Sequence, residues 1–465
     1  MRILVIMCLL SLGCSKKEAA KKDPPQPVAK GKKRSMAHAK RVTVVPPGDH
    51  EGTAKDLTKQ FSENKLVALR KAFAPSLAKR YPLVKLTDAH KRVLSVTGPF
   101  RGVQSVKRIR RGSFQVYVVK ALFEHMLWDF IYTFDTRGRI TDFFNRPGII
   151  PWKKPPYAPA TPATTIAVSL GKAPWTLEGI LTIPAGKGPF PAIILVHDRG
   201  PKDMDSSTFS NKPFKDLAMG LAARGVAVLR YNKRTHAHRA RALKERGLTL
   251  MEETVDDAVG AFTFLHTVPA IAPKKIFLLG HGLGGYAMSL ISQKTKGAAG
   301  FILMAPLGVH PAKSLANELT YLSTLPGEER ERILGRLKHE TRRADLVTSG
   351  DLTATTPQVD LPQGRGFTEY WIFLRKYDHL AALKAVVKPI LMLWCDKDYQ
   401  VTLTTDYPPW EKAMAKKKNV KSMTYTNCNH LFMPQVGVPS RESYFSPSHV
   451  IPGVVADLAR FVGGK

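Results

Sequence analysis

Acidic residues are in short supply. Asp and Glu total 37 against 71 Lys and Arg in 465 residues, a formal net charge of +34. So one-sided a balance draws a protein toward anionic surfaces. The usual equipment of a nucleic-acid reader is also missing. No helix-turn-helix, zinc finger or aromatic-interleaved basic strip accompanies the cations, which are spread along the whole chain. Attraction to anionic lipid or an envelope polymer needs only net charge and proximity, so an anionic envelope polymer is an expected partner and nucleic acid is not. Long hydrophobic runs are lacking: a membrane-crossing helix needs about 20 apolar residues, and the run Ile3–Leu12 is shorter. Cysteine is scarce as well. Cys8, Cys14, Cys395 and Cys428 are too few and too widely spaced for a zinc knuckle, and neither metal nor cofactor is expected. His236 and His238 lack a carboxylate or thiol at ligand-like spacing and read as an exposed basic loop.

What is present begins with Arg2, the apolar run and Gly13-Cys14. Bacterial lipoprotein signals resemble this: a short apolar core, a small residue, then the cysteine that takes lipid. The resemblance implies a signal over 1–13 and a lipidated Cys14. It further implies anchorage to a lipid bilayer in the cell envelope, periplasmic or outer-membrane. Residues 14–50, dominated by Lys, Ala and Pro, bury too little to offset their ordering entropy and read as a disordered basic linker. Beyond it, Leu57, Phe61, Leu66, Leu69, Phe73 and Leu77 recur at helical spacing over Gly52–Tyr81. After Pro99 the period shortens. Phe114–Val119, Leu127–Phe134 and Ile140–Phe144 alternate or run apolar between Arg-Gly turns, so 51–150 reads as a small α+β domain. Thr97–Gly148, with Phe-Asp-Thr-Arg-Gly-Arg-Ile-Thr-Asp-Phe-Phe and a closing Asn-Arg-Pro-Gly, is similar to the nuclear transport factor 2 domain that precedes certain bacterial α/β hydrolases.

Residues Ile276–Tyr286 read Ile-Phe-Leu-Leu-Gly-His-Gly-Leu-Gly-Gly-Tyr. An apolar strand, an abrupt glycine-rich turn and a helix are the context of a nucleophile elbow, small-x-nucleophile-x-small. Gly280 and Gly284 flank the central position, where any Cβ would press on the tightly packed helix. Gly280, Gly282 and Gly285 also fit the spacing of a dinucleotide loop. The partners of a Rossmann site do not follow downstream, whereas those of an elbow do.

From Thr164 onward, strand patterns alternate with amphipathic helices in the order of an open, mostly parallel sheet with helices on both faces. Pro311–Ala385 is too long for a plain connection and reads as a helical cap. Several stretches here resemble one another's counterparts in a single family: Leu-Val-His-Asp-Arg-Gly-Pro-Lys-Asp-Met-Asp from Leu195, Asn-Lys-Pro-Phe-Lys-Asp-Leu-Ala from Asn211, Arg-Gly-Val-Ala-Val-Leu-Arg-Tyr-Asn-Lys-Arg-Thr from Arg224, Asp-Lys-Asp-Tyr-Gln-Val-Thr from Asp396, and Asn-His-Leu-Phe-Met from Asn429. They are similar to the dienelactone-hydrolase and serine-aminopeptidase-like group of carboxylic ester hydrolases. The likeness implies an α/β-hydrolase fold over 164–465, with the cap at about 311–385.

The family's chemistry uses a serine on the elbow, a histidine base and a carboxylate that orients it. Carried over, the base is His430 and the carboxylate Asp398, with Asp396 competing. The nucleophile position is Gly282, which has no atom to attack with. Ser289 lies about two turns into the helix, too far to replace it. The oxyanion hole would use the Leu283 N–H and one from the loop after His197. There Asp198 and Arg199 replace the family's small residues and are expected to crowd the hole or to pair with each other. His197, Arg230 and Arg234, with Lys233 nearby, are expected to meet substrate at the strand ends, and the implied ligand is a small-molecule ester or acyl group. In the resembled fold the strands ending near Cys395 and Cys428 are adjacent, so a disulfide between them is implied. Three functions stand open: an impaired, ligand-binding hydrolase; an ester hydrolase in which His430 and Asp398 activate water; and a cationic module binding envelope polymer.

Overall fold

Alternation in one part of the chain and unbroken apolar runs in another produce two sheets of different kinds. The computed structural model describes residues 50–463 apart from 112–113, 159–162, 327–329 and 365–366. The expected signal and the lipidated Cys14 lie outside the described residues, as does all of the linker except residue 50.

The first sheet is the antiparallel series β1 (Phe100–Arg111), β2 (Phe114–Phe123), β3 (Leu127–Phe134) and β4 (Ile140–Pro147), paired in chain order. In β2 every second residue from Gln115 to Phe123 is buried, which is what one covered face requires. Helices Glu51–Ser62, Leu66–Lys71, Pro75–Arg80 and Leu83–Thr97 share its core. Leu57, Phe61, Leu69, Leu77 and Leu86 join Phe123, Phe130, Phe134 and Phe143. The helical stretch expected over 52–81 is broken at Asn64, whose φ is 60°, restarts at Leu66, and after a second break starts again at Pro75. Two elements were not legible. Helix Leu83–Thr97 buries His90 and Thr97 beside Leu86 and Val93, so its apolar stripe is half polar. Strand β1 is an edge strand rich in Lys and Arg, and charge on an edge hides the alternation while it discourages pairing with other chains.

The second sheet has eight strands. They are β5 (Thr164–Leu170), β6 (Leu177–Ile183), β7 (Phe190–Val196), β8 (Ala227–Tyr231), β9 (Ile271–His281), β10 (Gly300–Met304), β11 (Ile390–Cys395) and β12 (Val420–Tyr425). Their spatial order is β12-β11-β10-β9-β7-β8-β6-β5, parallel from β12 to β8 and antiparallel at β6 and β5. The central strands β8, β10 and β11 are buried at every residue, as expected of strands covered on both faces. Helix Pro213–Ala222 packs with Pro452–Val462, and Asp256–Leu265 with Met288–Lys294. The chain steps from β7 outward to β8, returns across β7 to β9, and then proceeds the other way. The carboxyl ends of β7 and β9 therefore form a topological switch point, where crevices open in such sheets.

Between β10 and β11 the chain forms helices Pro311–Thr324, Arg330–Ser349, Thr368–Lys376 and His379–Lys384. The first two pack on each other around Ala312, Ala344 and Val347. The two sheets meet through Phe445, whose ring lies 5.9 Å from Trp128 and 4.7 Å from Phe209. Among the described residues no helix is long and apolar enough to cross a membrane.

Candidate active site

Strand β9 ends at His281, and Gly282 turns the chain with φ 51° and ψ −111°. An L-residue held there is strained by about 1–3 kcal/mol; glycine is not. Helix Leu283–Tyr286 begins at the next residue and lies flush on β7. A Cβ on Gly284 would come within 2.7 Å of the Val196 carbonyl oxygen. The turn thus has the backbone of an elbow, with no side chain at its apex.

Facing it are the ends of β11 and β12. His430 Nδ1 lies 2.7 Å from Asp398 Oδ2, and Asp398 Oδ1 accepts from the backbone N–H groups of Gln400 and Val401 at 2.8 and 2.9 Å. Asp396 takes no part; its N–H bonds the Tyr425 carbonyl, and its Oδ1 has no partner among the described residues. Cys395 and Cys428 are joined by a disulfide with Cα atoms 5.2 Å apart. Nearby, the Lys397 N–H bonds the Cys428 carbonyl at 3.1 Å. The His281 ring donates from Nε2 to the His430 carbonyl at 2.8 Å. The imidazole of His430 is therefore held through its ring, its own carbonyl and its flanking loop.

The third side is occupied by Asp198, two residues beyond the end of β7. Its Oδ1 accepts from the Leu283 N–H at 2.8 Å, and its Oδ2 lies 3.3 Å from His430 Nε2. A Cβ placed on Gly282 would collide with that same Oδ1. Asp198 therefore fills the space beside Gly282 and takes the Leu283 N–H that was expected to serve as an oxyanion donor. Lys233 fixes its backbone, donating from Nζ to the Asp198 carbonyl at 3.0 Å while pairing with Glu253 at 3.1 Å.

Burial would push the Asp198 carboxyl up, but the hydrogen bond and charge of His430 overcome this and hold it well below the usual carboxylate range. Burial likewise pushes His430 down, and Asp398 together with Asp198 outweighs it, raising the imidazole to about 9. At neutral pH the cluster is an imidazolium between two carboxylates. His281, buried beside that cation, is lowered to about 4 and stays neutral.

Other expectations meet different surroundings. Arg199 does not pair with Asp198. Its Nη2 donates to Glu318 at 2.5 Å and to Gln400 at 3.2 Å, tying the β7 loop to helix Pro311–Thr324. His197 is buried with Nε2 donating to the Asp203 carbonyl at 3.0 Å, and burial with the Lys233 charge lowers it to about 3. Arg230 is buried against Asp205, and Arg234 makes a forked pair with Asp257 at 2.6 and 3.2 Å. These three side chains are committed to internal partners, Arg230 from within β8, His197 one residue past β7 and Arg234 at the start of the short helix after β8. Glu318 and Gln400 were not singled out from the sequence, and Glu253 was read there only as a helix-start acid. Lone acidic and amide residues on helices and loops carry no spacing signal, and only the fold brings them together.

A family model described as the alpha/beta hydrolase family matches residues 193–439, more than half of the chain. The chain belongs to the α/β-hydrolase family. Esterase EstD of Thermotoga maritima is 29% identical over 368 residues, covering 78% of this chain and 83% of that one. Among solved structures, Est1E from Butyrivibrio proteoclasticus matches with a TM-score of 0.41 at 15% identity, covering 64% of this chain and 98% of that one. The acylaminoacyl peptidase of Pyrococcus horikoshii matches with a TM-score of 0.43 at 16% identity, covering 71% of this chain and 52% of that one. In this chain His430 and Asp398 face Gly282, with the Asp198 carboxylate beside the glycine.

Proposed function

We propose that this α/β hydrolase is an esterase-like protein in which serine-type ester hydrolysis is lost and the cleft is kept for a small-molecule ester or acyl ligand. One observation carries the reading. The Asp198 carboxylate takes both the Leu283 donor and the His430 Nε2 contact, over a Gly282 that has no nucleophile. Removing the nucleophile of a serine hydrolase lowers turnover by roughly 10⁶, about 8 kcal/mol of barrier. The alternative in which His430 activates water on an ester is disfavoured by its charge, since an imidazole raised to about 9 holds its proton at neutral pH. Within the family, the dienelactone-hydrolase-like group is the subgroup we assign. The small domain over 51–150 is read as similar to nuclear transport factor 2. The +34 charge and the Gly13-Cys14 start support a lipid-anchored envelope protein that also meets anionic polymer; a diacylglyceryl-modified Cys14 in membrane-fraction mass spectrometry is the expected result, and a mature chain beginning at Met1 would refute it.

The activity test uses a serine-reactive fluorophosphonate and an activated aryl ester. Wild type is expected to show neither labelling nor a burst. The double variant Asp198→Gly/Gly282→Ser frees the donor and supplies an Oγ, and should gain both; adding His430→Ala should abolish the gain. Labelling of a wild-type serine that depends on His430 would overturn the reading.

A further inference from the structure

Helices cover one face of the four-stranded sheet, and the other face carries apolar side chains that join no core cluster among the described residues. In antiparallel strands, residues directly opposite each other share a face. The register therefore lays Lys107, Val118, Ile131 and Phe144 in one row across all four strands, with Ile109, Val116, Thr133 and Asp142 in the next. Phe114, two residues before Val116, extends the patch. Phe144, Phe114 and Ile109 are 46%, 44% and 42% exposed, and Val116, Val118 and Ile131 between them are half-buried. Contiguous apolar surface of this kind marks a place of interaction.

The charges around the patch select its partner. Both carboxylates on this face are already engaged: Asp129 by Lys120 at 3.0 Å and Arg146 at 3.6 Å, and Asp142 by Arg80 at 3.4 Å. Lys107 on the same face, with Arg108 and Arg110 further along the edge strand β1, is exposed, and none of the three has an ion-pair partner among the described residues. A second copy of this chain laid on the patch would bring more unpaired cations and no free carboxylate to meet them, and like charges facing each other destabilise an interface. Anionic lipid satisfies both halves of the surface, phosphates taking the cations while the apolar side chains enter the boundary of headgroup and acyl chain. The entry of the chain agrees. His50, the first described residue, stacks on Phe134 at 4.7 Å, and Phe134 pairs with Gln115, next to Phe114. Residues 1–49, with the cysteine expected to carry lipid, thus join the sheet at the end where Phe114 stands. We propose that this sheet face docks on an anionic lipid bilayer, with Ile109, Phe114 and Phe144 entering it and Lys107, Arg108 and Arg110 lying against lipid phosphates. The proposal rests on the envelope reading for the presence of a bilayer and deepens it by naming the surface that meets one.

The test uses the full chain carrying Cys14→Ser, so that no acyl chain contributes, with vesicles of phosphatidylcholine alone or mixed equally with phosphatidylglycerol. The protein should sediment with the mixed vesicles and not with phosphatidylcholine alone. Ile109→Ser/Phe144→Ser leaves every charge in place and should weaken that binding by roughly tenfold or more, because two apolar side chains no longer enter the lipid. Lys107→Gln, Arg108→Gln and Arg110→Gln should each weaken it by about fivefold. Phe144→Trp reports position: on mixed vesicles its added fluorescence, relative to the parent protein, should shift to the blue and be quenched by brominated lipid. A general attraction between the +34 chain and anionic lipid predicts binding that ignores the Ile109 and Phe144 changes, and that result overturns the proposal. So does an added indole that brominated lipid fails to quench. A concentration-dependent dimer that the double change abolishes, with no vesicle binding, overturns it too and assigns the face to a second copy. Should the double variant fail to fold, quenching in Phe144→Trp decides alone. Mass spectrometry of Cys14 is a separate reading: vesicle binding without lipid on that cysteine leaves the face and removes the anchor, and lipid on it without vesicle binding does the reverse.

Discussion

Two regions face each other across His430, and they differ in how firmly they are determined. At the ends of β11 and β12, Asp398 accepts from the imidazole and from two backbone N–H groups, with a disulfide beside it. At the ends of β7 and β9, the decisive contacts are one bond to Leu283 and a longer one to Nε2. The first region orients a ring and does so whatever reacts with it. In the second, a single side chain entering from the β7 loop makes both contacts. Orientation of the ring is spread over many contacts, whereas the opposite side rests on one residue.

The largest expected effect tests the first region. Asp398→Ala strips two backbone donors and leaves a buried imidazolium short of its main partner, which should lower stability by about 3–5 kcal/mol. Urea denaturation measures it, and a loss no larger than that of Asp198→Ala would break the comparison.

Next comes Gly282→Ser by itself. The new Cβ meets the Asp198 carboxylate and takes up an unfavourable φ, so roughly 2–4 kcal/mol should be lost. In an Asp198→Gly background only the backbone strain remains, about 1–2 kcal/mol. A double-mutant cycle reads the difference, and equal losses in both backgrounds would mean that Asp198 does not fill that space.

The smallest effect concerns pH. His430 is raised in the folded protein from an ordinary value near 6.5 to about 9. Its contribution to stability is therefore complete below about pH 6.5 and is lost as pH rises through about 9. Asp198→Asn removes one of the two carboxylates responsible, so the alkaline loss should shrink by on the order of 1 kcal/mol. Denaturation midpoints between pH 6 and 10 check this. An unchanged alkaline limb would assign the whole shift to Asp398.

Much of the sheet was legible because parallel strands covered on both faces must be apolar throughout, and β7, β10 and β11 are. The glycine turn was legible because close packing of helix on strand demands glycine at fixed offsets, here Gly280 and Gly284. His430 and Asp398 could be picked out because each follows a strand in a recognisable loop. The polar contacts were harder. Asp198 and Arg199 were expected to crowd the hole or to pair. The acid does crowd it, on the Leu283 N–H and the imidazole, but the two do not pair, and the base turned outward to Glu318. Arg230 and Arg234 looked like ligand residues at a strand end and proved to be held by Asp205 and Asp257.

By itself, then, the sequence determined the layered α/β fold, the glycine turn and the absence of a side chain at its apex. These follow from local periodicity and from residue identity, which need no partner to be read. Only the tertiary structure decided what occupies the vacant place. Asp198, Gly282 and His430 come from three separate loops, and a carboxylate takes the strongest donors within its reach. Which donors those are is set by the order of strands in the sheet, not by spacing along the chain.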